Sequence, residues 1–323
     1  MIESKKYNIS KLGTFDEECL LHRFAKDWWY ATGYFEDETG HKYSYQFTIL
    51  SINVGVNPFL AMVALTDLES GRHYYRQKVS MDPNSLAVTK DFVAYGDSAI
   101  ALKCSDGMRI KTRHKDFEID VKLDYNKGAF WHCDNGKLYM GKEDNEKETT
   151  YYYSYTNLPT KGTLVLNGKK HEIKGKSWFD KQGGSYSFGK VSSWEWFSLR
   201  FYDDEEMMLF KFPTTDYVDG TFISKDSQRE RLNNYTLKTN KYIEYAGSKW
   251  SAGWDLYVPG KKEENYTITP LVDGAINLAY FEEICVIKNS KGEEVGMCFA
   301  ELLPHLYDDN KQDTTQLFKN YEV

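Results

Sequence analysis

Apolar and polar residues alternate with a period of two over long stretches of this chain. Phe117, Ile119, Val121 and Leu123 are interleaved with Glu118, Asp120, Lys122 and Asp124, the pattern of a strand with one buried face. Turn signals punctuate such runs at short intervals. Glu38-Thr39-Gly40, Glu69-Ser70-Gly71, Asn167-Gly168 and Lys291-Gly292 each separate two alternating or aromatic segments and are expected to close hairpins. A 3.6-residue period is rare: only Asp16 to Lys26 and the tail after Pro304 are short helix candidates. The pattern therefore predicts an antiparallel β-barrel or sandwich protein.

Composition supports the strands. Aromatic residues make up 16% of the 323 residues, with 25 Tyr, 18 Phe and 8 Trp, and such side chains suit pleated, half-buried surfaces. That length favours two domains. The glycine-rich run from Gly183 to Gly189 is the natural break, giving an extension over 1–26, a first barrel over 27–190 and a second over 191–323 with a short tail. The two halves share a texture without a clean sequence repeat.

The net charge of -7, with both signs interspersed, presents no basic face for nucleic acid. No run of about 18 apolar residues predicts a membrane span, and the N-terminus lacks the apolar core of a signal peptide, so a cytoplasmic protein is expected. The five cysteines have no C-x-x-C spacing and read as reduced thiols packed as small hydrophobes. In that compartment the sequons at Asn8, Asn234 and Asn265 carry no weight.

Several chemistries are poorly served. Gly175-Lys176-Ser177 resembles the end of a phosphate-binding loop, but Lys170 stands where its first glycine belongs. Ser187 lacks the first glycine of a nucleophile elbow. The seven histidines are scattered without ligand spacing, so neither a metal nor an organic cofactor is expected.

The segment from Trp178 to Phe201 carries the chemistry. It holds three tryptophans, glycine-rich breaks and the adjacent pair Asp180 and Lys181, and is expected to floor an apolar pocket near the domain boundary. Gly175, Trp178, Asp180, Gly184 and Trp194-Glu195-Trp196-Phe197-Ser198-Leu199 resemble the signature of the lipocalin-like proteins related to carotenoid 1,2-hydratase, the hydroxyneurosporene synthase or AttH-type family. Further fragments follow in the family's order: Asp27-Trp28-Trp29-Tyr30-Ala31-Thr32-Gly33, Tyr45-Gln46-Phe47-Thr48, Ala64-Leu65-Thr66-Asp67, Tyr152-Tyr153-Ser154, Gly162-Thr163-Leu164, Ala279-Tyr280-Phe281-Glu282 and Glu301-Leu302.

The resemblance implies two tandem lipocalin-like antiparallel β-barrels, an all-β chain. It also implies a cofactor-independent enzyme that hydrates, isomerises or cyclises a hydrophobic isoprenoid, polyketide or polyphenol-like molecule. The alternative within the fold is a non-catalytic carrier of such a ligand; a barrel with a filled core would be an interaction module. Protonating an alkene makes a carbocation, so the site needs an acid in a dry cavity and aromatic faces around it. Asp180 and Lys181 are the catalytic candidates. Trp28, Tyr30, Tyr153, Trp178, Gln182, Trp194, Trp196, Tyr280 and Glu282 are the candidate substrate contacts. The chain departs from hydratase relatives in having Lys181 for a histidine, Gly183 for a tryptophan and Asn157 for an arginine. Two arrangements follow: Asp180 as the acid with Lys181 turned away, or Lys181 polarising a carbonyl with Asp180 as its hydrogen-bonded partner.

Overall fold

A computed structural model describes residues 1–52, 58–186, 193–245, 248–277 and 280–303. It is 65% strand and 2% helix, which settles the all-β class. Among the described residues no helix is long and apolar enough to cross a membrane.

The chain divides into two compact units. The first comprises Met1–Leu138 and Thr149–Ser185, and the second comprises Tyr139–Glu148 and the chain from Tyr186 onward. The first 26 residues therefore belong to the first unit instead of preceding it. The expected helix from Asp16 to Lys26 shrinks to one turn, Phe15–Glu18, held by a Thr14/Glu17 capping box. The chain then enters strands at Leu21–Arg23 and Lys26–Asp37, where burying Trp29 and its neighbours outweighs the weak helical pattern. The tail after Pro304 lies outside the described residues.

In the first unit one antiparallel sheet runs through the strands His73–Ser80, Phe59–Asp67, Lys42–Ile52, Lys26–Asp37, Lys169–Ser185, Thr149–Leu166, Phe117–Asp124, Gly107–Arg113, Ala99–Cys104, Phe92–Tyr95 and Leu86–Thr89, in that order. It curls on itself: Val88 and Val93 from one end share a core with Phe47 and Val63 from the other. The second unit repeats the plan with Arg229–Leu232, Tyr217–Ile223, Glu206–Phe212, Trp194–Phe201, Glu294–Leu303, Tyr280–Asn289, Asn265–Pro270, Trp254–Tyr257 and Thr236–Thr239, around Phe197, Leu199, Trp254 and Leu256. In both units the first long strand pairs with the last. The common texture of the two halves is thus a common topology, a tandem of lipocalin-like barrels.

The hairpin signals act as expected. Gly40, Gly71 and Gly292 have positive φ, and Asn167 and Gly168 have φ of 51° and 80°, the left-handed pair a two-residue type I′ turn requires.

Candidate functional site

Asp180 and Lys181 are consecutive residues of the strand Lys169–Ser185, so their side chains leave opposite faces of the sheet. The register places Asp180 between Tyr30 and Ser154, and Lys181 between Trp29 and Tyr153. Two separate polar clusters result, both within the first unit.

Asp180 lies on the face opposite the core, where it is only 4% exposed. Its Oδ1 accepts hydrogen bonds from the Tyr152 hydroxyl at 3.0 Å, from Trp178 Nε1 at 2.6 Å and from the Ser154 hydroxyl. Because the single Ser154 proton goes to Asp180, the 2.7 Å contact between Ser154 Oγ and His132 Nε2 requires the imidazole to donate. The His132 ring stacks parallel to Trp178 with centroids 6.1 Å apart and tilts against Tyr152 at 4.5 Å. The result is a continuous path from an imidazole N–H through a hydroxyl to a carboxyl, bounded by aromatic rings.

Of the expected substrate contacts, Trp28, Tyr30, Trp178 and Gln182 share this face. Tyr30 is buried, Trp28 and Gln182 are half-buried, and Gln182 donates to Thr150 Oγ1 at 3.0 Å.

Lys181 points the other way, into the core, and is fully buried. Its Nζ donates to Asp27 Oδ1 at 2.5 Å and to the Tyr151 hydroxyl at 2.6 Å, and lies 4.1 Å from the Trp29 ring centroid. The Tyr151 hydroxyl also donates to Asp27. His22 Nδ1 lies 2.9 Å from Asp27 Oδ1 and its Nε2 lies 2.8 Å from Glu18 Oε2, so each ring nitrogen has a carboxylate to meet. Glu18 also accepts from Lys5 and from the Gly13 amide.

Burial pushes the Lys181 amine down, with Asp27 opposing it. Burial would raise Asp27, but Lys181 and His22 outweigh it and hold the carboxyl at about 2. Burial and Asp27 raise the Tyr151 hydroxyl well above its ordinary value. The expectation that Asp180 partners Lys181 is therefore corrected: the lysine's partner is Asp27, because adjacent strand residues cannot share a face. Gly183 belongs to the same cluster, since a Cβ there would fall 2.7 Å from the Tyr151 hydroxyl and 2.8 Å from Asp27 Oδ1. A larger residue is incompatible with the Asp27–Tyr151 contact.

Tyr153 also faces the core. It donates to the Phe15 carbonyl at 3.0 Å and lines, with Phe15, Cys19, Trp29 and Phe179, a cavity of about 30 Å³, roughly the space of one water.

In the second unit Trp194 and Trp196 lie on the sheet face opposite that unit's core. Trp194 Nε1 donates to Glu301 Oε1 at 2.7 Å. Glu301 pairs across the sheet with Trp196 on one side and Glu282 on the other, and Glu282 is buried. Tyr280 pairs with Asn277; its side chain lies outside the described residues, as do Ser187 to Ser192 of the signature segment. His132, Tyr151 and His22 were not singled out from the sequence, and Asp27, Tyr152 and Ser154 stood there only as parts of family-like fragments, not as site residues. For Tyr152 and Ser154 the signal was alternation within Tyr152-Tyr153-Ser154, which assigns faces only once a register is known.

The AttH-like family profile matches residues 14–304. A putative AttH from Nitrosomonas europaea superimposes with a TM-score of 0.81 at 20% identity, covering 93% of this chain and 99% of that one. Kievitone hydratase from Nectria haematococca superimposes with a TM-score of 0.72 at 18% identity, covering 94% and 97%. At these identities the likeness carries the fold. Among curated proteins none matches the sequence.

Proposed function

Because the chain belongs to the AttH-like family, we propose that its first unit carries an acid–base centre, built on Asp180, that adds water to, or removes it from, an unsaturated hydrophobic small molecule. The observation that carries this reading is the buried Asp180 carboxyl ringed by Tyr152, Ser154 and Trp178, with His132 behind Ser154. The similarity to a protein named kievitone hydratase favours hydration over isomerisation or cyclisation.

In the hydration direction Asp180 transfers a proton to one alkene carbon. The cation that develops on the other is faced by the rings of Trp178 and Tyr152. Water attacks that carbon, and the proton it loses returns to Asp180, so the carboxyl is restored at each turnover. His132, through Ser154, orients that proton on Asp180. No step calls on an organic cofactor or a metal.

Steady-state kinetics on a panel of prenylated, isoprenoid and polyphenolic alkenes tests the reading. Asp180→Asn is expected to lower kcat by about 10²- to 10⁴-fold, and Ser154→Ala by a smaller factor, because it breaks the path and leaves the carboxyl. Wild-type activity in Asp180→Asn would refute the assignment.

A further inference from the structure

The turn after the strand Lys26–Asp37 holds a cluster that the Asp180 chemistry does not use. Asp37 ends the strand Lys26–Asp37, Glu38 begins the turn after it, and His171 lies on the strand Lys169–Ser185, where Ile173 pairs with Asp37. His171 Nδ1, Asp37 Oδ2 and Glu38 Oε1 converge: Nδ1 is 3.0 Å from Oδ2 and 3.8 Å from Oε1, and one ligand atom from each residue lies within 4.8 Å of the others.

Each carboxylate is held by its other oxygen. Asp37 Oδ1 accepts from the Thr39 amide at 2.8 Å, the Thr39 hydroxyl at 2.6 Å and the His41 amide at 3.1 Å. Glu38 Oε2 accepts from the Glu172 amide at 3.0 Å. The remaining oxygens are left facing the imidazole. The His171 side chain is 91% buried, yet Nδ1 makes no hydrogen bond: at 3.0 Å from Oδ2 it is close enough for one, but not aligned for donation. A ring nitrogen and two carboxylate oxygens so placed resemble the edges of a coordination shell, where bonds of 2.0–2.2 Å put neighbouring ligands about 3.3 Å apart.

We propose that His171, Asp37 and Glu38 bind one divalent transition-metal ion of the Zn²⁺ class. An imidazole with two carboxylates suits Zn²⁺, Co²⁺ or Mn²⁺ better than the all-oxygen shells of Ca²⁺ and Mg²⁺. The ion offsets two carboxylate charges, satisfies the buried nitrogen and ties the hairpin end to the neighbouring strand. It does not touch the alkene chemistry: Asp180 lies seven residues from Ile173 along the same strand, about 23 Å at 3.3 Å per residue. No histidine spacing announces the site, because the register brings His171 beside residues more than 130 positions away.

Zn²⁺ titration of the metal-stripped full-length protein by calorimetry tests this, with Co²⁺ absorption reporting the geometry. The expected result is saturable uptake of one Zn²⁺ per chain, a raised Tm on binding, and visible bands from Co²⁺ in a low-symmetry site. Glu38→Gln and His171→Asn should each weaken binding by about tenfold or more. His41→Ala, which removes a nearby ring held by Asp67 and Glu69, should leave it unchanged. Glu38 is exposed, so Glu38→Gln decides the matter if His171→Asn fails to fold. No uptake, as expected if His171 and Asp37 form only an ion pair, or uptake insensitive to Glu38→Gln, would overturn the proposal.

Discussion

One step along a strand separates Asp180 from Lys181 and gives them different surroundings: the first is the acid of the proposed reaction, the second lies in the core against Asp27. Lys181→Met leaves Asp27 charged, buried and without its ammonium partner, and should destabilise the protein by about 3 kcal/mol or more. Asp27→Asn combined with Lys181→Met should recover much of that loss, since removing both charges removes the unmet desolvation. Chemical denaturation of the two variants checks this; equal stability of Lys181→Met and wild type would contradict the core role. A second buried acid behaves oppositely. Glu283 is buried, and although the Gly274 amide lowers it, burial pushes its carboxyl from 4.5 up to about 8. The folded state then holds a proton that the unfolded state has lost, so stability should decline as pH rises from about 4.5 to about 8. At pH 7 the penalty is roughly 3 kcal/mol. Glu283→Gln should flatten that slope in Tm measured against pH, and an unchanged slope would count against it. Asp180 and Lys181 were both legible in the sequence as a pair of interest. Their separation was not, because which neighbours each meets depends on strands 28 and 154 residues distant.

At the level of elements, the hairpins and the alternating strands were legible because their causes are local: a glycine able to adopt positive φ, or a period matching the pleat. The N-terminal segment was not, because its structure is imposed by distant partners. His22, held by Glu18, binds it to Asp27 and Tyr151 of the barrel, and through them to Lys181, a network a helical period cannot foreshadow. Burial opposes the ionisation of Glu18, but His22, Lys5 and the Gly13 amide bring it to about 2, as Lys181 and His22 do for Asp27. Both acids sit below their ordinary values of 4.5 and 3.8. Their contribution is therefore complete above those values and lost as pH falls towards 2. The protection factor of the Leu21–Arg23 amides, measured against their intrinsic exchange rates, should fall between pH 4 and 2, ahead of that of the Phe117–Asp124 strand. Asp27→Asn should exchange faster there already at neutral pH. Uniform exchange of both segments would contradict the tie.

At the scale of the molecule, each unit buries its own core under the same strand order, so the lipocalin-like tandem rests on a topology repeated without a repeated sequence. Aromatic pairs that alternate in and out of a curled sheet tolerate wide change in residue identity, which is why period and composition announced the class while no repeat could be aligned. The division falls at Ser185, and an excursion from Tyr139 to Glu148 joins the second unit, a crossing that domain length alone does not reveal. In the proposed reaction Asp180 delivers a proton to carbon. The most direct test is turnover of the alkene panel in D₂O, with products read by mass spectrometry and NMR. The expected result is a product bearing a new hydroxyl and a carbon-bound deuterium from the wild-type protein, and none from a folded Asp180→Asn variant. Product formed equally by that variant, or a hydrated product without deuterium on carbon, would contradict it.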